Sequence, residues 1–185
     1  VSIQALGIGG HQRGHHGETN VWLTPPHILH ALGPFDLDPC AAPEPRPWPT
    51  AARHYVEADN GLALPWPGRV WCNPPYGEHT GLWLERLANH GDGIALIFAR
   101  TETQMFFAQV WERADAVFFF DGRLTFHHQD GRRAAANGGA PSCLVAYGLR
   151  NVSALRSCGL PGFFVSLAHG LRITEQPSLF AEATP

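Results

Sequence analysis

Lysine is absent from this chain: all 13 basic residues among its 185 are arginine, set against 16 Asp and Glu and 11 His for a formal net charge of −3. With 20 Gly, 16 Pro and a single Met, the arginine-only set reads as the product of a GC-rich coding sequence. The mildly acidic total also lacks the basic footprint of a strong nucleic-acid binder, so composition alone leans against such a partner. No stretch approaches the roughly 18 uninterrupted apolar residues of a membrane-crossing helix. The opening VSIQALGIGGHQRGHHG lacks the basic-then-apolar layout of a secretion signal. Cys40, Cys72, Cys143 and Cys158 form no CxxC pair, which removes the common zinc and redox spacings and fits reduced thiols in a cytoplasm. His11, His15 and His16 find no Cys or carboxylate to complete a metal site. What remains is a core-forming chain, 44% hydrophobic and 16% charged. At this length it can bury about 70% of its unfolded surface without a disulfide or metal staple.

Three regions are expected: a flexible arm over 1–20, one domain over 21–170 and a tail over 171–185. Within the domain, Thr24-Pro25-Pro26 predicts a helix over 25–32 with Thr24 as its N-cap and Gly33 as its stop. Phe35 to Asp38 alternates like a short strand. Five prolines in 39–52 make an irregular loop. Another short strand is expected over 54–58, ended by the turn at Asp59-Asn60-Gly61. Arg69 to Cys72 is an apolar run, 80–89 and 103–112 have helical spacing, and 93–99 reads as a fully buried strand. Residues 116–120 and 123–127 read as two strands around Asp121-Gly122, 129–141 as a mobile loop, and 143–147 as a last core strand. The signal weakens after Gly148, although 163–167 can add a strand. Alternating strands and helices place the chain in the α/β class.

Asn73-Pro74-Pro75-Tyr76 closes the apolar run ending at Cys72. Two prolines stop the strand, fix the backbone and leave their carbonyls as acceptors. Ligands of open α/β sheets sit beyond the carboxyl ends of strands, where this turn would lie. The Asn73 side-chain oxygen and the Pro74 carbonyl can then each accept a hydrogen bond from one exocyclic amine, while Tyr76 offers a face on which a planar base stacks.

With Trp22-Leu23-Thr24-Pro25-Pro26, Asp36-Leu37-Asp38-Pro39-Cys40-Ala41, Asp59-Asn60-Gly61-Leu62, Trp71 to Tyr76 and, more weakly, Arg123-Leu124-Thr125-Phe126, the chain resembles the short phage-type DNA N6-adenine methyltransferases related to Dam. The resemblance covers about residues 20–148. It implies a Rossmann-like sheet, S-adenosylmethionine as methyl donor, and DNA as partner, either duplex with a flipped adenine or single-stranded. By it, Asn73, Pro74, Pro75 and Tyr76 are catalytic. Thr24 and Pro25 lie over the methionine carboxylate, and Asp38, Pro39 and Cys40 form the first cofactor motif, with Ala41-Ala42 replacing the usual Gly-x-Gly. Asp36 shares a strand face with Asp38 by period two and can either assist or be merely solvated. Asp59 contacts either the ribose hydroxyls or the adenine amine of the cofactor, and Glu57 competes for the former. Only 34 residues separate Asp38 from Asn73, so the expected sheet is a trimmed seven-strand sheet lacking a strand and its helices on one side. The expected DNA-facing parts are the 127–141 loop, with His127, His128, Arg132 and Arg133, the arm with Arg13, and Arg123, for which a pair with Asp121 competes. No metal is expected. The same turn suits an RNA base or a glutamine amide, and a catalytically silent DNA-binding relative is the third reading.

Overall fold

A computed structural model describes residues 21–77 and 79–167 of the chain; the arm with Arg13 and its histidines, and the tail, lie outside the described residues. Seven strands form one mixed sheet in the order β2-β1-β3-β4-β6-β5-β7. They are β1 (Leu37–Asp38), β2 (Arg53–His54), β3 (Val70–Cys72), β4 (Gly93–Phe98), β5 (Ala116–Phe120), β6 (Ser142–Tyr147) and β7 (Gly162–Ser166). β1 to β4 are mutually parallel, while β6 runs antiparallel to both β4 and β5, and β7 antiparallel to β5.

The period-two alternation of side chains divides the core between two layers. Val70, Cys72, Ala95, Ile97, Val117 and Val145 face α2 (Thr80–His90) and α3 (Gln104–Phe106), which runs on as a π-helix over Phe107–Trp111. Trp71, Ile94, Leu96, Phe118, Leu144 and Ala146 face α1 (Pro26–Leu32) and α4 (Leu149–Ser157). Central strands covered on both faces need continuous apolar runs, and GIALIF and SCLVAY supply them.

The α/β class stands, and the trimming is one-sided. Between Asp38 and the start of β3 the chain forms only the two-residue β2 and a single 3-10 turn over Glu57–Asp59. The strand count is restored at the opposite edge by β7. Several local expectations need correction. α1 begins after Pro25, and Thr24 makes no side-chain cap; the two prolines start the helix without one. Residues 55–58 leave the strand early and enter the 3-10 turn. Residues 123–127 form no strand: only His127 is paired, to Leu23 on one side and Arg133 on the other. α4 was not legible in the sequence. It is held by Asn151, fully buried, which accepts from Arg69 Nε at 2.7 Å and donates to the Tyr147 carbonyl at 2.7 Å.

Candidate active site

β1 leads to β2 on one side of itself, whereas β3 leads to β4 on the other. The carboxyl ends of β1 and β3, neighbours in the sheet, therefore flank a crevice from which the connections diverge, the place where open α/β sheets take ligands. Asp38-Pro39-Cys40 leaves one lip and Asn73-Pro74-Pro75-Tyr76 the other. The two lips touch: Cys40 Sγ and Cys72 Sγ are 3.8 Å apart. The backbone N–H of Asn73 also points to the Cys40 sulfur. Burial, followed by the neighbouring Cys72, pushes the Cys40 thiol well up, so it is a packed thiol and not a nucleophile.

Asp38 is buried, 3% exposed. Its carboxylate accepts the Cys40 N–H at 3.1 Å and the Thr50 hydroxyl. Burial pushes its pKa up to about 6, against the opposing pull of Thr50, Cys40 and the charge of Arg46. Arg46 is itself paired with Glu44, which weakens its claim on Asp38. The carboxylate thus stands in a desolvated place where a cationic ligand would restore its charge.

Asn73 Nδ2 donates to the Trp22 carbonyl at 3.2 Å. That bond turns the amide so that Oδ1 faces away from it, and Oδ1 is buried with no hydrogen-bond partner. An orphaned buried acceptor is costly unless a ligand completes it. Thr24 presents a second one: it is 1% exposed and its hydroxyl has no partner. Trp48 Nε1 donates to the Thr24 carbonyl at 3.1 Å, so the proline-rich 39–52 loop covers the start of α1 and, through Thr50, Asp38 as well.

Tyr76 stacks on Phe98 with ring centroids 4.1 Å apart and planes at 17°, and meets Phe126 edge-on at 6.3 Å. These three rings, Trp22 and the small residues of 134–139 enclose a cavity of about 280 Å³. The 127–141 loop therefore supplies a wall of the cavity, pinned by Ala134 N–H on the Phe126 carbonyl at 2.9 Å and Gly138 N–H on the Leu124 carbonyl at 2.7 Å. Its small side chains leave the room.

The remaining sequence-selected residues divide. Pro25 and Pro39 are buried beside Thr24 and Asp38. Asp59 comes near because Gly61 packs on the β1 end: a Cβ there would sit 2.0 Å from the Pro39 carbonyl oxygen. The Asp59 carboxylate caps its own turn, accepting the Val56 N–H at 2.8 Å. Asp36 is not brought to the crevice. It stands at the opposite end of β1, accepting the Arg69 N–H at 2.6 Å; a shared strand face does not mean a shared end. Arg123 reaches the Gly139 carbonyl at 3.4 Å rather than Asp121. Arg132 is tied to Asp130 at 2.6 Å, while Arg133 reaches a neutral partner, Thr125 Oγ1, at 3.3 Å.

Sequence reasoning did not single out Thr50, Trp48 or Phe98 as site residues. The first two sit in a loop without periodicity, and Phe98 reads as the end of a core strand. Among the described residues no group of three or more His, Cys, Asp or Glu could hold a metal ion, and no helix is long and apolar enough to cross a membrane.

The family model for DNA N-6-adenine-methyltransferase (Dam) matches residues 13–154, a span that holds both lips of the crevice and the cavity wall. No curated protein and no solved structure matches the chain. The match spans well over half of the chain, so the protein belongs to the DNA N-6-adenine-methyltransferase (Dam) family, and methylation of adenine in DNA is the activity that this membership assigns to it.

Proposed function

We propose that the protein transfers a methyl group from S-adenosylmethionine to the N6 amine of adenine in DNA, with the Asn73-Pro74-Pro75-Tyr76 turn as the catalytic element. The observation that carries this reading is the buried Asn73 Oδ1, left without a partner beside an aromatic cavity. An adenine N6–H donated to that oxygen fulfils the acceptor and turns the nitrogen lone pair out of the ring plane. Asn73 is neutral and accepts no proton; the proton leaves N6 to water after transfer. The work of Asn73 is orientation and stabilisation of the positive charge that grows on nitrogen. The Pro74 carbonyl is the second acceptor in this reading, and Pro75 keeps the turn rigid. Tyr76, backed by Phe98, provides a stacking face for the base. Duplex adenine holds N6 inside the stack, so the base enters the cavity flipped out or from a single strand.

The residues of the crevice fit the cofactor. When bound, S-adenosylmethionine supplies an electrophilic methyl group on a cationic sulfonium. Asp38 would face its cationic part, and the unpartnered Thr24 hydroxyl, with Pro25 beside it, would take its carboxylate. Pro39 and Cys40 would form the floor, and Asp59 is the candidate for the ribose hydroxyls or the adenine amine.

The test is labelled methyl transfer to unmethylated DNA, RNA and protein, with mass analysis of the digested products. N6-methyladenine in DNA is the expected product; label confined to RNA or protein overturns the reading. Asn73→Ala should lower transfer at least about 100-fold, the range seen for loss of one electrostatic stabiliser, while calorimetry still shows cofactor binding.

A further inference from the structure

Next to Trp22 and the start of α1 the chain carries several basic side chains. Trp22, a wall of the cavity, holds the His128 ring at 5.1 Å. His127 is fixed next to it by two backbone hydrogen bonds with Leu23, at 2.8 and 3.1 Å. Its ring meets Trp48 edge-on at 5.3 Å, and its Nδ1 is buried without a partner. The Arg133 backbone pairs with that of His127, and His27, exposed on α1, is close enough for its charge to act on His127. The charges that act on His127 are those of Arg133, His27 and His128, all of one sign. Asp130 faces His128, but it is held by Arg132.

We propose that His27, His127, His128 and Arg133 form an oxyanion site for a backbone phosphate next to the target adenine, so that DNA affinity rises as the imidazoles gain protons. The site rests on the reading of the cavity as the adenine pocket. The charges that act on His127 include no carboxylate, so they repel its protonated form, and a bound phosphodiester relieves that repulsion. Burial, and then the Arg133, His27 and His128 charges, lower the pKa of His127. Phosphate binding therefore draws a proton onto it, and the proton in turn tightens binding. In a chain of net charge −3 this supplies local positive charge where composition shows none. It also explains how a phosphate could be held although Arg132 is already paired.

The test uses the full chain and a short fluorescein-labelled duplex, with anisotropy titrations over a salt series at about pH 6 and about pH 8, which bracket imidazole protonation. Wild-type affinity should be at least about fivefold higher at the lower pH, with a salt slope steeper by about one unit for each phosphate newly neutralised. The His27→Gln/His128→Gln variant changes two rings outside the core and should flatten both dependences. His127→Gln should reduce them, and His90→Gln, on α2, should keep the wild-type profile. Equal affinity and slope at both pH values overturn the site, as does a pH dependence that survives in both histidine variants. Methyl transfer at saturating DNA near pH 8 separates the two readings. Transfer to adenine with a flat binding profile sinks the phosphate site alone; pH-dependent binding without N6-methyladenine sinks the activity alone.

Discussion

Replacing Asp38 by Asn should make the ligand-free protein more stable and its cofactor site useless. Asp38 is buried, and burial raises its pKa from the ordinary 3.8 to about 6. The direction sets the sign. Folding disfavours the ionised form, so the contribution of this group to stability is greatest below pH ~4 and falls as pH rises through ~6. About two units at 1.36 kcal/mol each amount to ~3 kcal/mol withheld from the fold at neutral pH. Asparagine keeps the shape: its Oδ1 can accept the Cys40 N–H and its Nδ2 can meet the Thr50 hydroxyl. The pKa of about 6 already includes the charge assistance of those bonds; the poorer fit of an amide to the same two partners offsets ~1 kcal/mol. The net expectation is a gain of about 2 kcal/mol at pH 8, or roughly 4–8 °C in Tm for a chain of this size. Urea unfolding at several pH values between 4 and 8 measures the difference between the two proteins. The difference should widen with pH, and calorimetry at pH 8 should show S-adenosylmethionine binding lost in the variant. A variant no more stable than the parent at pH 8, or a difference that does not change with pH, would refute the argument from desolvation. Stability gained together with binding lost is the mark of a carboxylate kept for its ligand.

Other perturbations test other parts of the site. Tyr76→Ala removes a stacking face worth about 1–3 kcal/mol, so binding of an oligonucleotide with 2-aminopurine at the target position should weaken roughly 5- to 150-fold, read by fluorescence. Gly61→Ala forces a Cβ to within 2.0 Å of the Pro39 carbonyl. It should cost about 1–3 kcal/mol in urea unfolding and weaken cofactor binding by moving the Asp59 turn off the β1 end. Asn151→Ala strips Arg69 Nε of its acceptor and leaves the Tyr147 carbonyl unmatched, with an expected loss of about 2–4 kcal/mol and no change in cofactor affinity per folded molecule.

Much of the site was readable because its signals are local. Two prolines after Trp71-Cys72 end a strand wherever that strand lies, and they leave Asn73 at its carboxyl end. Apolar runs such as GIALIF announce a strand covered on both faces, and a proline cluster announces a loop. The α/β class follows from such segments, and so does the place of the Asn73-Pro74-Pro75-Tyr76 turn within them. α4 escaped notice for the opposite reason. Leu149 is 81% exposed, so the segment has little apolar periodicity, and a buried asparagine bonded to Arg69, 82 positions away, holds it.

The sequence by itself determined which residues end strands and which faces are buried, since both depend on neighbours a few positions apart. Only the tertiary structure decided which strand ends meet and which polar atoms remain unsatisfied. Asp38 and Asp36 look equivalent by period two, yet one lies in the crevice and the other at the far end of β1. Arg132 and Arg133 are adjacent, yet one is paired with Asp130 and the other reaches the neutral hydroxyl of Thr125. The amide of Asn73 has an orientation only because the Trp22 carbonyl, 51 positions earlier, takes its N–H. Hydrogen bonds and charges act through space over a few ångströms, so their pairing is settled by the packing of the chain and not by its order.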